Sequence, residues 1–522
     1  MAETGFRKII ITFTVVMAAI IELIDTSIVN VALTNISGNI GATLEDVAWV
    51  VTSYAIANVI IIPMTSFFAA LFGRRNYYMG SIILFTLASM ACGQAHTLWE
   101  LVAFRFIQGI GGGALLSTSQ AILFETYTVE QRGFASAIFG VGVFIGPTIG
   151  PTVGGWIIDN YSWPWIFYIN MPIGILAVVL SYLYVKEPAH VRATHTIDWT
   201  GIGLLISGLA ALQTVLERGE AEDWFSAKYI IVLTFIAAAC LISFIIHELK
   251  TEHPVVDLHV LVKSRSLATA ATLTFVLGFA LFSTVFIVPV FAQRLLNFTA
   301  MQTGMLFLPG AGVALIILPI IGKLLTKGVP SQLLIIVGFL IVALFAGMLA
   351  NLNLSANGDQ FFWPVIIRAI GLSLMTIPLT QLAVSGLQVK DIPQGVALNN
   401  MMRQVGGSFG VALINTFIDH RIVAHRTALV SHMNVGSYAT ESRINSITHG
   451  LMAHGVSAWE ASRKALGILE FTIQRQSELL SYIDAFRAVS IISVICIPII
   501  FLAGKTKKPT AAKIAAAANE SH

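Results

Sequence analysis

The sequence predicts an all-α polytopic membrane protein, built as two six-helix bundles with two further helices inserted between them. Three observations carry this. Hydrophobic residues make up 56% of the chain and charged residues only 11%, far from the balance of a water-soluble domain. The apolar residues fall in continuous runs, long enough or nearly so to cross a bilayer as helices, rather than in the alternating pattern of a barrel. Landmarks also recur: Pro63, Gly73, Trp99, Arg105 and Gly133 reappear as Pro319, Gly328, Trp363, Arg368 and Gly395, at separations between 255 and 264 residues. A nearly constant offset suggests two related halves.

Fourteen runs are expected to cross, near 9–33, 47–71, 77–96, 98–123, 133–158, 164–185, 199–216, 228–248, 267–291, 301–325, 332–350, 361–387, 395–418 and 485–503. The first follows Arg7 and Lys8 but is too long for a signal peptide, carries Glu22 and Asp25 and lacks a clear cleavage site. It reads as a retained helix. The run at 199–216 is the weakest by length. Residues 1–196 then form the first bundle, 197–250 the inserted pair and 251–522 the second bundle. The segment 419–483 is the one long outer connection. It is polar, but Trp459, Ala465, Leu466, Leu469 and Ile473 approach helical spacing, so a solvated loop and a folded docking element both stay open. With the amino terminus inside, the inner segments hold seventeen Lys and Arg residues and the short outer loops three, Arg218, Lys228 and Arg294. The positive-inside rule therefore puts both termini in the cytoplasm. Cys92, Cys240 and Cys496 lie in apolar runs and fit no metal spacing, so neither a metal nor a disulfide is expected.

Within the fifth run, glycine returns at every fourth residue: Gly142, Gly146, Gly150 and Gly154, with Pro147 and Pro151 between them. Such a stripe lies near one helix face and lets a neighbouring backbone approach closely. The prolines weaken the hydrogen-bond ladder, so the helix can bend. Static packing and a moving interface are both compatible with it.

An ionisable residue at the centre of a membrane helix costs roughly 2.5–3.5 kcal/mol on insertion scales, so such residues usually face an interior cavity. Glu22 and Asp25 sit three apart and share a face. Two acids so placed do not easily both stay ionised, which is what a proton carrier needs; Asp25 is the first choice and Glu22 its companion. Arg105 shares its face with Gln108 and Gly109. Arginine does not release its proton in practice, so Arg105 is expected to tune a nearby acid or hold an anionic substrate. Arg368 begins its run, where it can snorkel toward the outer surface; a structural or gating role is expected for it and for Arg403. Arg403 is deeper, with Gln404 beside it. Substrate contact is expected from Asp25, Arg105, Gln108 and Arg403.

These residues resemble a family. Leu23-Ile-Asp-Thr-Ser-Ile-Val-Asn-Val-Ala-Leu33, Leu101-x3-Arg105-x2-Gln108-Gly109, and Gly146-x3-Gly150-Pro151-x2-Gly154-Gly155 match motifs of the first, fourth and fifth helices of major facilitator drug/proton antiporters with fourteen spans, the EmrB/QacA type. Asp223-Trp224-Phe225-Ser226 and the long outer segment are similar to the EmrB branch in particular. The resemblance covers nearly the whole chain. It departs at Thr34, where the family has proline, at Ala137, where the fifth-helix motif has glycine, and after the second span. There Gly73-Arg74-Arg75 is kept, but Ser66 and Ala70 stand at the motif's glycine and aspartate. Arg74 and Arg75 are therefore expected to contact the fifth helix or lipid phosphates, or to act as positive anchors.

The resemblance implies proton-coupled export of small amphipathic drugs from a bacterial cytoplasmic membrane. It also implies a periplasmic membrane-fusion protein and an outer-membrane channel as possible partners. No cofactor or nucleic acid is expected. A dedicated exporter or importer of one metabolite or anion is the alternative. Enzyme motifs are lacking. Gly504-Lys505-Thr506 has Ile499 where a phosphate loop needs glycine, and His247-Glu248 is followed by Thr251 where a zinc protease needs histidine.

Overall fold

The structure is a computed structural model that describes residues 5–128, 131–187, 197–251, 254–385, 387–388, 391–433 and 437–503. Arg192, Lys390 and the lysines beyond residue 503, which entered the charge argument, lie outside these. No strand occurs among the described residues. The first half holds α1 (Gly5–Ile40), α2 (Leu44–Phe72), α3 (Arg74–Gly93), α4 (Leu98–Thr126), α5 (Arg132–Asn160), a single turn α6 (Trp165–Tyr168) and α7 (Asn170–Tyr184). The inserted pair is α8 (Trp199–Arg218) and α9 (Lys228–Glu248). A short α10 (Leu258–Lys263) leads into α11 (Arg265–Leu296), α12 (Ala300–Thr326), α13 (Ser331–Leu349), α14 (Asp359–Val384), α15 (Ile392–Ser431), α16 (Tyr438–Ala453) and α17 (Ala458–Ile495).

All fourteen expected runs are helical. Eleven helical stretches among the described residues are long and apolar enough to span a membrane; α3 and α15 are not among them, and part of α5 lies outside the residues this count covers. α3 opens on Arg74-Arg75-Asn76, and α15 carries Asn399, Asn400, Arg403, Gln404 and Ser408, which dilutes their apolar content. Helix starts are fixed locally. Thr97 with Glu100, and Thr299 with Gln302, form reciprocal capping boxes on α4 and α12, satisfying backbone donors that have no partner inside the helix.

The segment 419–483 is not a solvated loop. α15 continues to Ser431, α16 follows, and α17 runs back toward the bundle, so the segment is a helical protrusion. Ala461, Ala465, Leu469 and Ile473 make the buried seam of α17. Arg426 pairs with Glu470 at 2.7 Å, and Arg421 and His425 converge on Asp484 at 2.5 and 2.8 Å.

Within the halves, α1 packs on α5, α2 on α4, α11 on α15 and α13 on α14; across them, α5 meets α12 and α2 meets α15. The glycine stripe faces α1, inside the first half. A methyl group at Gly146 would lie 2.5 Å from Leu23 Cβ, and one at Gly154 2.6 Å from Ile28 Cγ1. Backbone contact between α1 and α5 therefore requires the missing side chains. A different face of α5 meets the second half: a methyl group at Gly322 of α12 would lie 2.8 Å from the Gly133 carbonyl oxygen and 3.1 Å from Ala137 Cβ. The family's glycine position at Ala137 thus belongs to the seam between the halves.

Candidate functional site

α1 brings Glu22 and Asp25 into the interior, at 4% and 0% exposure. Asp25 is the centre of a polar knot. Arg105 Nη1 approaches its Oδ2 at 2.5 Å. Gln108 Nε2 and Asn170 Nδ2 each donate to its Oδ1 at 2.8 Å. Arg105 is held in turn by Gln108 Oε1 at 2.8 Å and the Val50 carbonyl at 3.2 Å, and it lies 4.1 Å from the centre of the Tyr54 ring. Asn170 is fixed by Ser89 Oγ, which itself donates to the Phe167 carbonyl. A buried ion pair is tolerable only when its remaining donors and acceptors are matched, and here four helices supply the matching groups.

Glu22 is differently placed. Asn58 Nδ2 donates to its Oε1 at 3.1 Å, while its Oε2 is buried without a hydrogen-bond partner, as is the nearby Tyr54 hydroxyl. The cation acting on it, Arg403, comes from α15 in the other half and is only half-buried. Asp25, Arg105 and Gln108 have no surface left for a substrate in this conformation; Arg403 does.

Arg368 does not snorkel. It is 7% exposed, donates from Nε to Thr284 Oγ1 at 3.1 Å and lies 5.5 Å from the Phe307 ring centre. It lies more than two turns inside α14 (Asp359–Val384), where neighbouring helices cover it.

At the end of the bundle where α2 turns into α3, Arg74 and Arg75 contact groups of the first half. Arg74 pairs with Glu125 of α4, and Glu187 accepts from the backbone N–H groups of Arg74 and Arg75 at 2.6 and 3.1 Å. The turn that presents those groups uses Gly73 at φ 84°, a conformation suited to glycine. Arg75 Nη2 donates to the Tyr182 carbonyl at 2.7 Å. Neutral groups link the halves instead. Ser66 Oγ donates to Gln394 Oε1, and Asn400 Nδ2 donates to Ser117 Oγ and Gln120 Oε1, both at 3.2 Å. Asn58, Asn170 and Asn400 were not singled out in the sequence, although amides inside apolar runs were the signal that would have found them.

The Major Facilitator Superfamily pattern matches residues 15–411. The chain belongs to that superfamily. Its members are transporters rather than enzymes, and this chain is a multi-pass membrane protein. It is 32% identical to the fatty acid resistance protein FarB of Neisseria gonorrhoeae, over 94% of this chain and 95% of that one. It is also 32% identical to the multidrug export protein EmrB of Escherichia coli K12, over 88% and 90%. Among solved structures it superposes on a bacterial homologue of the human lysosomal transporter Spinster, inward-facing and unoccupied, with a TM-score of 0.56 at 14% identity, covering 97% of this chain and all of that one. That likeness concerns the fold.

Proposed function

We propose that this transporter exports small amphipathic compounds in exchange for protons across a bacterial cytoplasmic membrane, with both termini in the cytoplasm. The relatives named for multidrug export and fatty acid resistance support the export reading. One observation carries the coupling: two acids three residues apart on α1, one saturated by donors and one with a free oxygen. Glu22 can take a proton on Oε2 without breaking any bond. Protonation removes its attraction to Arg403 of the other half and so loosens the contact between halves. Asp25 takes a proton only when Arg105 lets go, which makes Arg105 the group that tunes it. Moving one charge through about 100 mV supplies about 2.3 kcal/mol.

Arg74 and Arg75 set the joint between α2 and α3, and Gly146, Gly150 and Gly154 set the α1–α5 spacing on which the acids ride. The helical protrusion of α15, α16 and α17 is our choice for contact with a periplasmic membrane-fusion protein, which would pass substrate to an outer-membrane channel. The half-buried Arg403 also favours a second reading, export of amphipathic anions. Reconstituted protein under an imposed pH gradient tests these readings. Export should require the gradient and ignore ATP, and Glu22→Gln should abolish gradient dependence. Gradient-driven export by that variant at the wild-type rate would overturn the assignment of Glu22.

A further inference from the structure

The inserted pair closes on a cluster of titratable groups that the α1 site does not use. Asp198 caps α8: its Oδ1 accepts from the Gly201 backbone N–H at 2.9 Å. His247 and Glu248 end α9. His247 Nε2 lies 2.8 Å from Asp198 Oδ2 and 3.2 Å from Thr251 Oγ1. Glu248 is 0% exposed. Its Oε2 accepts from the Val256 backbone N–H at 3.2 Å, on the connection to α10, while its Oε1 is buried without a hydrogen-bond partner.

Gly201 shows where that free oxygen points. A methyl group there would lie 2.5 Å from Asp198 Oδ2 and 2.7 Å from Glu248 Oε1. The carboxylates therefore flank one point over the first turn of α8, and a side chain at that position would have to move them. Two carboxylates so placed, one of them out of water, do not both stay ionised. A proton on Oε1 removes the buried charge and turns an orphaned acceptor into a donor. Neighbouring elements bring no counter-charge to this point. Asp257 and His259 of α10 are half-exposed and lie 3.3 Å from each other. α2, also packed on α8, carries its charged residues only in its first turn, at the end where Trp49 meets Arg218. α15 touches α8 through Ser408, which accepts from Gln213 Nε2 at 2.9 Å, and its Arg403 acts on Glu22. Among the described residues, the charged groups facing Glu248 are Asp198 and His247.

We propose that Glu248 and Asp198 share a proton, held on Glu248 Oε1 and donated to Asp198 Oδ2, forming a proton-binding site separate from Glu22 and Asp25 that latches α8, α9 and the connection to α10. His247, with 30% of its side chain exposed and bonded to the same Asp198 oxygen, is the route by which the proton reaches water. Loss of the proton leaves two carboxylates facing each other, and their repulsion pulls Glu248 from the Val256 N–H. The latch is therefore closed in acid and opens as pH rises. Val255 and Val256 are each 1% exposed and belong to the main apolar core, so opening moves the lead into the second half. With the orientation proposed above, this end of the inserted pair faces the cytoplasm.

The test uses the full chain in lipid nanodiscs and infrared difference spectra between acid and alkaline buffer. The wild type should show a protonated-carboxyl C=O band that appears in acid. Glu248→Gln should delete that band, and Asp198→Asn should shift its frequency, because the proton then meets an amide. Glu22→Gln should leave it in place, so the site stands or falls separately from the α1 acids. A Glu248→Gln spectrum equal to that of the wild type would show that Glu248 exchanges no proton, and would overturn the proposal. Hydrogen exchange of residues 255–258 reads the latch. Glu248→Gln keeps a neutral side chain at every pH, so wild-type protection should match that of the variant in acid and fall about tenfold below it in alkali. Equal protection in alkali overturns the latch. Should Glu248→Gln not fold, Asp198→Asn decides: a shifted band supports the shared proton, and unchanged carboxyl bands overturn it.

Discussion

The two halves repeat one arrangement with different chemistry. In the first, Arg105 reaches across 80 residues of sequence to the carboxylate of Asp25; in the second, Arg368 reaches across 84 to the hydroxyl of Thr284. Both guanidiniums are buried, and both lie over aromatic rings. The scaffold therefore places an arginine against the first helix of each half, but only the first half offers it an acid. A repeated fold can carry one titrating centre, because the second copy keeps the geometry and loses the charge. Removing one partner of a buried ion pair leaves an uncompensated charge. Removing a guanidinium from a hydroxyl and a carbonyl leaves only neutral groups.

That contrast is broken most severely by Arg105→Ala. It should cost about 3–5 kcal/mol, against about 1–3 kcal/mol for Arg368→Ala, and should also abolish export. Thermal unfolding of the two purified variants checks the order, and equal losses would show that the halves are chemically alike. Next comes the pair on α1. Asp25→Asn should abolish export and lower stability, because Arg105 loses its counter-charge. Glu22→Gln should keep wild-type stability while losing gradient dependence, since an amide at that site forfeits no ion pair within its own half. Melting temperature and pH-driven export measured on the same preparations separate them.

A third variant sharpens the comparison from the other side. Thr284→Asp places an acid against Arg368, and should make the loss on Arg368→Ala larger in that background than in the wild type; a double-mutant cycle measures the coupling. Gly150→Leu probes the packing that carries α1. Ser27 and Ile24 occupy the space a side chain would need, and overpacking of this kind costs about 1–3 kcal/mol. A conformational trap predicts retained substrate binding without export, whereas passive packing predicts export in proportion to folded protein.

The smallest effect concerns a carboxyl pair outside the spans. A hydrogen bond shared with Asp419, then burial and the Asp419 charge, push Glu220 up from its ordinary 4.5 to about 7. The folded state then holds a proton that the unfolded state releases. The resulting stability is fully present below about pH 4.5 and is lost as pH rises through about 7. Melting temperature should therefore fall between about pH 4.5 and 7 in the wild type, and Glu220→Gln should flatten that slope.

Residue-level chemistry made much of this legible in advance. Continuous apolar runs gave the helices, because a bilayer leaves the backbone no alternative. Glu22, Asp25, Arg105 and Gln108 stood out because charge and amides in such runs need a reason. The snorkelling alternative for Arg368 stayed open because its distance from the start of a run says nothing about which neighbours cover it. The outer segment stayed ambiguous because its apolar seam is narrow and depends on a partner helix.

The sequence by itself determined the helical membrane class, the twofold repeat and the acids of α1, since each follows from local composition and period. Only the tertiary structure decided that Asn170 and Ser89 complete the Asp25 knot, that Glu22 keeps a free oxygen and that the glycine stripe serves α1 rather than the opposite half. It alone brought Asp198 and Glu248 together over Gly201. These are contacts between residues far apart in the chain, fixed by how helices pack, and no local pattern encodes which faces will meet.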